Sequence, residues 1–219
     1  MSVLVLDNFA DTDGTLLPSH VGDSGAGWSR RSDSDAAGDM VINSNRCYAS
    51  PDGKTEHCIT SIVPSSADYT VEATIFAVDS IGNQFSTIAG RTSSDGQNGY
   101  SMYFDSQNVP GGGGFGTWHL VKTVAGTPSD LGTWDAHWDV STSHVAQLVM
   151  AGTSIKANFD GVDQISVTDA THSAIARSGI GGFGVNGAAD EPKFTQFRLL
   201  GTSVTTAPVT LRSIAIRRR

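Results

Sequence analysis

The chain has 219 residues, a net charge of −8, 38% hydrophobic residues and only 16% charged residues. A chain of this length can bury ~70–75% of the surface that its unfolded form exposes, so it needs neither a disulfide nor a metal ion in order to fold. The acidic balance disfavours nucleic acid as the main partner, and no apolar run reaches the ~20 residues of a membrane span.

The first residues predict a strand followed by a long irregular segment. Val3–Leu6 is apolar, but it is too short for the hydrophobic region of a secretory signal and no basic residue precedes it. An Asp-Asn-Phe sequence at residues 7–9 then leads into an acidic turn. A segment rich in Gly and Ser continues to about Gly38, with Trp28 as its one large anchor. We therefore expect a protein that is made without a secretory signal.

Cys47 and Cys58 are the only cysteines. The Ser-Pro-Asp-Gly-Lys sequence at residues 50–54 lies between them and is a strong turn signal. If residues 42–49 and 55–63 pair as a hairpin around that turn, the two cysteines lie opposite each other and a cross-strand disulfide is feasible. The alternative is a pair of reduced, half-buried thiols. A zinc site is not expected, because the C-x-x-C spacing is absent.

Alternation of apolar and polar residues predicts the central strands. Residues 68–79 give the clearest pattern, with one apolar face and one largely polar face. The apolar face consists of Tyr69, Val71, Ala73, Ile75 and Ala77. Further strands are expected over residues 85–91, 99–105 and 115–124, and a polar loop is expected over residues 125–143.

Three short apolar runs between Val145 and Asp169 predict a β-meander. Turn sequences containing Gly separate the runs, and Gly tolerates the positive φ that tight hairpin turns need. In the second run, Ile155, Ala157 and Phe159 alternate with polar residues. One face of the meander should therefore pack on a core, and the other should face solvent.

The order of elements predicts an all-β fold. Strands recur at intervals of about 10–15 residues with no helical pattern between them, which is typical of a two-sheet antiparallel β-sandwich or jelly roll. Ile180–Val185 and Phe194–Leu200 are expected to close a domain that covers residues 1–200. The glycines of Gly179-x-Gly181-x-x-Gly184 match a dinucleotide-binding pattern, but no helix follows them. We interpret them as strand glycines that allow close packing.

Several strand sequences together resemble the concanavalin A-like lectin/glucanase superfamily, and in particular its laminin-G-like jelly rolls. The resemblance covers roughly Val3 to Leu200, and its motifs indicate fold more than function. Similar modules occur in phage virion proteins and in bacterial glycan-active proteins. The sequences that carry the resemblance are Asp7-Asn-Phe, Asp68-Tyr-Thr-Val-Glu-Ala, Gly99-Tyr-Ser-Met-Tyr-Phe, Leu120-Val-Lys, Val145-Ala-Gln-Leu-Val-Met-Ala-Gly, Phe159-Asp-Gly and Gly179-Ile-Gly-Gly-Phe-Gly.

The resemblance does not extend to the glucanase carboxylates. That branch of the superfamily carries two glutamates on one strand in an E-x-D-x-E pattern, which directs both carboxylates into the cleft. This chain has only Glu56, Glu72 and Glu191, and no two of them share a predicted strand. We therefore expect a protein that is not an enzyme.

Two groups of residues are candidates for ligand binding. Asp11-x-Asp13-Gly14 offers hard oxygen ligands for calcium, which many laminin-G-like domains bind, although an ordinary Asp/Gly turn has the same sequence. Apart from calcium, no cofactor is expected. Aromatic faces beside carboxylates suit the binding of sugar rings. In the alternative, structural interpretation, Trp134 latches the loop and Trp138 fills the core. This second group, in the predicted polar loop, consists of Trp134, Asp135, His137 and Trp138.

The last nineteen residues differ in charge from the rest of the chain. They include no acidic residue, and a further strand over residues 209–216 is followed by three arginines. We expect residues 201–219 to form a basic arm that docks on a neighbouring subunit. Its docking residues are Arg212, Arg217, Arg218 and Arg219.

These features favour a non-catalytic jelly-roll interaction module. With the resemblance, they predict a structural protein of a phage virion, such as a capsid decoration, head-fibre or tail-associated protein, that is made in the host cytoplasm and assembles with other virion subunits or with copies of itself. One alternative is a lectin that binds glycans on a host surface. Another is a glycan hydrolase or lyase with an atypical set of carboxylates.

Overall fold

The computed structural model describes residues 1–34, 39–50, 55–76, 85–105, 115–137, 141–174, 177–183 and 193–201. Within these residues the only helix is a short 3-10 turn, Leu17–Ser19, and no helix is long and apolar enough to cross a membrane. The strands are β1 (Ser2–Asp7), β2 (Thr15–Leu16), β3 (Trp28–Arg30), β4 (Asp39–Asn43), β5 (Arg46–Ser50), β6 (Thr55–Thr60), β7 (Tyr69–Phe76), β8 (Phe85–Thr92), β9 (Gly99–Asp105), β10 (Phe115–Val124), β11 (Thr127–His137), β12 (Ser143–Ala151), β13 (Ser154–Phe159), β14 (Val162–Thr168), β15 (Arg177–Phe183) and β16 (Lys193–Gly201).

The described strands form two antiparallel sheets that face each other. The nine-stranded sheet has the order β14-β13-β12-β7-β16-β5-β4-β2, and β1 also pairs with β16. The seven-stranded sheet has the order β11-β10-β9-β8-β15-β6-β3. The predicted two-sheet sandwich is therefore confirmed. Because half or more of the pairings in each sheet join strands that are not consecutive in sequence, each sheet is assembled from distant parts of the chain.

The core lies between the inner faces of the two sheets and follows from period-2 alternation. On β7, the alternate residues Tyr69, Val71, Ala73 and Ile75 are all buried, as the sequence predicted. The seven-stranded sheet contributes alternate residues of β9 and β10, including the fully buried Trp118. Each large apolar side chain buried in this way stabilises the fold by about 1.5–3 kcal/mol relative to exposure.

The predicted meander is present as β12, β13 and β14. Gly152 and Asp160-Gly161 adopt positive φ in its two turns, at +55°, +49° and +82°. Ile155 and Ala157 are completely buried and Phe159 nearly so. This prediction succeeded because both the turns and the apolar face are local features of the sequence.

The predicted hairpin between residues 42–49 and 55–63 is wrong. Instead, β5 pairs with β4 through a turn at Ser44-Asn45, whose φ angles of +52° and +55° suit a type I′ turn. Cys47 and Cys58 consequently lie on strands of different sheets, and both are free, buried thiols. Burial is the main reason that the pKa of each thiol lies well above its ordinary value.

The predicted polar loop over residues 125–143 is also wrong for most of its length. Residues 127–137 form β11, which pairs with β10 along its whole length after a turn at Ala125-Gly126. As an edge strand, β11 has polar residues on its outer face and little apolar alternation. Its sequence therefore resembles a loop.

Candidate functional site

Strand register creates a row of side chains across the outer face of the seven-stranded sheet. His57 on β6 lies opposite Gly181 on β15, and Gly181 lies opposite Thr87 on β8. Thr87 pairs with Tyr103 on β9, which pairs with His119 on β10. The row thus places large rings on both sides of two small residues and leaves a depression between the rings.

A second row of small residues extends the floor of this depression. Gly179, Ala89 and Ser101 are cross-strand neighbours on β15, β8 and β9, and Val121 on β10 follows them. A Cβ atom on Gly179 would lie 2.1 Å from the carbonyl oxygen of Cys58. The prediction that the glycines of this strand allow close packing is therefore confirmed for Gly179.

Residues of both rows form the floor of a groove of about 760 Å³ that runs along the strands, namely Thr87 from the first row and Ala89, Ser101 and Val121 from the second. Gly99 and Asp105 both line it and are six residues apart on β9, which corresponds to about 20 Å of extended strand. This volume lies within the range of about 300–1,000 Å³ that is usual for ligand sites.

One wall of the groove is aromatic. The ring of Tyr103 stacks on the imidazole of His119, with ring centroids 4.6 Å apart and planes only 4° from parallel. Behind this pair, Nδ1 of His119 lies 3.2 Å from Oδ1 of Asp130. Burial raises the pKa of the Tyr103 phenol, and the nearby charges of Asp130 and Asp105 raise it further. The phenol therefore stays protonated and can act as a hydrogen-bond donor.

The opposite wall is an ion pair next to an imidazole. Nε of Arg31 donates to Oδ1 of Asp33 at 2.8 Å, and the Nη2 group of Arg31 donates to the other carboxylate oxygen. Burial alone would raise the pKa of Asp33, but the hydrogen bonds and charge of Arg31 outweigh it and lower that pKa. Nδ1 of His57 lies 3.8 Å from the same carboxylate. Burial, with a smaller contribution from the Arg31 charge, lowers the pKa of His57 to about 3, so its imidazole is neutral.

Backbone contacts hold this polar wall against the sheet. The amide of Arg31 donates to the carbonyl of His57 at 2.9 Å, and the hydroxyl of Ser34 accepts a hydrogen bond from the His57 amide. A Cβ atom on Gly96 would lie 2.6 Å from Nε of Arg31, so the β8–β9 loop packs directly on the ion pair. The wall is therefore formed before any ligand arrives.

At one end of the groove, the β8–β9 turn and the β10–β11 turn are joined by hydrogen bonds. The amide of Gly126 donates to the carbonyl of Gln97 at 2.8 Å, and the amide of Ala125 donates to the side chain of Asn98 at 3.2 Å. Gln97 and Asn98 line the groove, where their amide groups offer both donors and acceptors.

The structure does not bring the sequence-predicted Trp134 and Asp135 together. Trp134 packs on the inner face of β11 against Trp118, with ring centroids 5.5 Å apart and planes 7° from parallel. Asp135 is exposed, and its Oδ1 accepts a hydrogen bond from Thr117 at 2.9 Å. Trp134 therefore anchors the strand β11 to the core, where the sequence analysis expected it either to bind a sugar or to latch a loop.

Other predicted residues lie outside the described part of the chain. These are Trp138 and the arm residues Arg212, Arg217, Arg218 and Arg219, whose roles stay predictions. For His137 only the backbone is described, where it pairs with Phe115 at the end of β11.

The calcium candidates Asp11 and Asp13 are occupied by protein donors. The carboxylate of Asp11 accepts hydrogen bonds from the Thr12 amide at 2.7 Å and the Thr15 hydroxyl at 3.2 Å, and its other oxygen lies 2.8 Å from Nδ1 of His20. Oδ1 of Asp13 accepts from the Ser44 amide at 2.6 Å. Among the described residues no three acidic, His or Cys side chains are grouped as metal ligands would be. In this arrangement the two aspartates bond to protein groups, and the calcium site stays a prediction.

No protein-family model matches the sequence, and no curated protein matches it. Solved structures do match. The carbohydrate-binding module CBM66 from Bacillus subtilis is 18% identical, with a TM-score of 0.59 over 80% of this chain and 95% of that chain. The chain has the concanavalin A-like jelly-roll fold.

Two further matches support this assignment of the fold. The exoplasmic/lumenal domain of VIP36 in its Ca²⁺/Man-bound form is 10% identical, with a TM-score of 0.60 over 83% of this chain and 86% of that chain. A structure from work on human gut microbiota that express endo-acting O-glycanases to initiate mucin breakdown is 12% identical, with a TM-score of 0.61 over 92% and 100% of the two chains.

No motif or spacing in the sequence indicated the residues of the groove. Tyr103 could have been placed on an outer face, because it alternates with buried Tyr100, Met102 and Phe104 on β9. Its neighbours could not have been predicted, since they come from β6, β8 and β10 in an order that only the folded sheet defines.

Proposed function

We propose that the protein binds carbohydrate in the groove on the outer face of the seven-stranded sheet. The observation that carries this proposal is the row across that face, in which the Tyr103–His119 stack and the polar wall of Arg31, Asp33 and His57 border a floor of small residues. A sugar ring has an apolar C–H face and a rim of hydroxyl groups. Such a ring can pack on Tyr103 while its hydroxyls bond to fixed polar groups.

The similar solved structures support the same proposal. CBM66 is described as a carbohydrate-binding module, and the VIP36 domain is described in a Ca²⁺/Man-bound form. Fold alone does not determine function. The groove therefore carries the proposal, and these proteins support carbohydrate as its ligand class.

The state of the carboxylate in the polar wall favours binding without turnover. A glycan hydrolase needs one carboxyl group that is protonated near neutral pH and acts as the general acid. Asp33 has the opposite property, because Arg31 lowers its pKa and occupies both of its oxygens. A hydrolase or lyase would have to use other carboxylates.

The virion role stays a second hypothesis. It depends on the basic arm at residues 201–219, and the described residues end at Gly201. A virion protein that binds host glycans through this groove would satisfy both hypotheses.

The test is the affinity of Tyr103→Ala for glycans, measured by affinity electrophoresis or calorimetry on a panel of soluble polysaccharides. We expect Tyr103→Ala to weaken binding about fivefold, because the stacking wall is lost and contacts with an aromatic ring are worth about 1 kcal/mol. Melting curves must show that the variant is folded.

Trp134→Ala is the matched comparison. It removes a larger ring, but from the inner face of β11, so it should lower the melting temperature and leave the affinity of the folded protein unchanged. Full binding by Tyr103→Ala together with loss of binding by Trp134→Ala would reject the groove and favour the site predicted from sequence.

A further inference from the structure

We infer that the groove selects neutral glycan chains and excludes glycans that carry carboxylate or sulfate groups. This inference rests on the proposed function and specifies its ligand class. It is based on the charged side chains that face the groove and on the protein groups with which they already form ion pairs. The charged or titratable side chains that line it, among the described residues, are Arg31, Asp33, His57, Tyr100, Tyr103 and Asp105.

The groove has no cation available for an acidic sugar among these residues. Arg31 uses two of its nitrogens on Asp33, in the parallel arrangement by which a guanidinium would otherwise hold a carboxylate or sulfate. His57 is neutral because it is buried beside the Arg31 charge. Lys122 is close in sequence to the groove residue Val121, but its amine is 2.7 Å from Asp169. Arg31 and Lys122 are thus paired with carboxylates, and His57 is uncharged.

The aromatic side carries two carboxylates. Asp105 lines the groove at the end of β9, and Asp130 lies behind the Tyr103–His119 stack. Besides burial, which is the larger cause, both carboxylates raise the pKa of the Tyr103 phenol. An acidic sugar on this wall would face like charges across a short distance, and such juxtaposition is unfavourable. A neutral sugar would instead donate its hydroxyls to these carboxylates.

The length of the groove indicates how many sugar rings the ligand has. Lining residues extend along about 20 Å of β9 with no large side chain on the floor described above. The groove therefore suits a chain of several sugar rings better than a single monosaccharide.

The experiment compares neutral and acidic polysaccharides on the same protein at 50 and 500 mM NaCl. Mannan, xylan and dextran are the neutral probes, and polygalacturonate, alginate and chondroitin sulfate are the acidic probes. We expect binding to at least one neutral probe that changes less than twofold with salt, and no binding to any acidic probe at either salt concentration.

A charge reversal tests whether the groove itself makes this selection. Asp105→Lys should gain binding to an acidic probe by at least fivefold at 50 mM NaCl, and the gain should disappear at 500 mM because an exposed charge is screened. Asp135→Lys is the comparison, since Asp135 belongs to the same cross-strand row through Thr117 but does not line the groove. It should show no comparable gain.

The outcomes separate this inference from the proposed function. Binding of acidic probes by the unchanged protein, as tight as that of neutral ones, would overturn the selectivity and leave carbohydrate binding intact. An equal gain in Asp105→Lys and Asp135→Lys would reject the groove as its source. Failure of every polysaccharide to bind, together with failure of a broad glycan array, would reject the proposed function itself.

Discussion

Gly181 lies in the middle of the outer face of the seven-stranded sheet, between His57 on β6 and Thr87 on β8. A Cβ atom at this position would lie 2.0 Å from Cδ2 of His57 and 2.6 Å from the carbonyl oxygen of Glu56. The imidazole therefore extends over the glycine, and the absence of a side chain is what allows His57 to form part of the polar wall.

Replacing this glycine should affect both stability and binding. We expect Gly181→Ala to lower the free energy of unfolding by about 1–3 kcal/mol, as overpacking usually does, and to weaken glycan binding because His57 must move. Urea unfolding and polysaccharide affinity measure the two effects. Gly27→Ala is the control, because its added Cβ would meet only the hydroxyl of Ser61 at 3.8 Å and should change stability by about 0.5 kcal/mol or less. Equal stability of the two variants would contradict the contact at Gly181.

Individual residues could be assigned to a face from the sequence, but the groove could not be assembled from it. Alternation on β9 separates Tyr103 from the core residues, and this information is local. His57 and Tyr103 lie three strands apart on the sheet although they are far apart in sequence. Their proximity depends on the strand order, which no local pattern encodes.

At the scale of elements, sequence prediction succeeded where turns and patterns were local. The meander β12–β14 has short turns with positive φ and one apolar face, so both its strands and their pairing were predictable. The predicted hairpin around residues 50–54 failed because β5 and β6 pair with other strands in separate sheets. The polar loop was in fact β11, since an edge strand can bury only part of one face.

The segment after β14 is attached to the opposite sheet through one carboxylate. Oδ1 of Asp169 accepts a hydrogen bond from the hydroxyl of Tyr100 on β9 at 2.7 Å, and Oδ2 accepts from Nζ of Lys122 on β10, also at 2.7 Å. The amide of Thr171 donates to Oδ1 at 2.8 Å. Because β14 belongs to the nine-stranded sheet, this carboxylate connects the two layers of the sandwich.

A double-mutant cycle between Tyr100 and Asp169 measures this connection. We expect Tyr100→Phe and Asp169→Asn each to cost about 1–3 kcal/mol of unfolding free energy, and their effects to be coupled by about 1 kcal/mol. Asp163→Asn is the control, because its partner Lys156 and the carboxylate are both exposed and such pairs are worth about 0.2–1 kcal/mol. Additive effects of the Tyr100 and Asp169 changes, measured by urea unfolding, would show that the hydroxyl and the carboxylate act independently.

At the scale of the whole molecule, two networks contribute to the pH dependence of stability with opposite signs. Burial alone would raise the pKa of Asp169, but its hydrogen bonds from Lys122, Thr171 and Tyr100 outweigh burial and hold that pKa far below 3.8. The stability that this carboxylate contributes is therefore present above about pH 4 and is lost as the pH falls. This network limits stability on the acidic side.

The network around His20 limits stability on the alkaline side. Nε2 of His20 lies 3.0 Å from Asp7, which is completely buried and accepts a hydrogen bond from Nε1 of Trp28 at 2.7 Å. On the other side of the ring, Nδ1 lies 2.8 Å from Asp11. Burial alone would lower the pKa of His20, but the two carboxylates outweigh it and raise the pKa above 6.5. The contribution of His20 is complete below pH 6.5 and is lost as the pH rises through the pKa in the folded protein.

His57, which is neutral in the fold, has the opposite effect below about pH 7, because it becomes protonated on unfolding there. We therefore expect the free energy of unfolding to decrease as the pH rises from about 7 to about 9, where the effect of His57 is complete and the acidic residues remain ionised. Urea unfolding at half-unit pH intervals measures this slope. His20→Gln should be less stable at pH 6 and should lose most of the slope, because no proton is then released on unfolding at this site. His144→Gln removes a histidine that faces Asp160 outside this network, so it should retain the slope. If the slope survives His20→Gln and disappears in His144→Gln, the charge that stabilises the fold below neutral pH is not the imidazolium between Asp7 and Asp11.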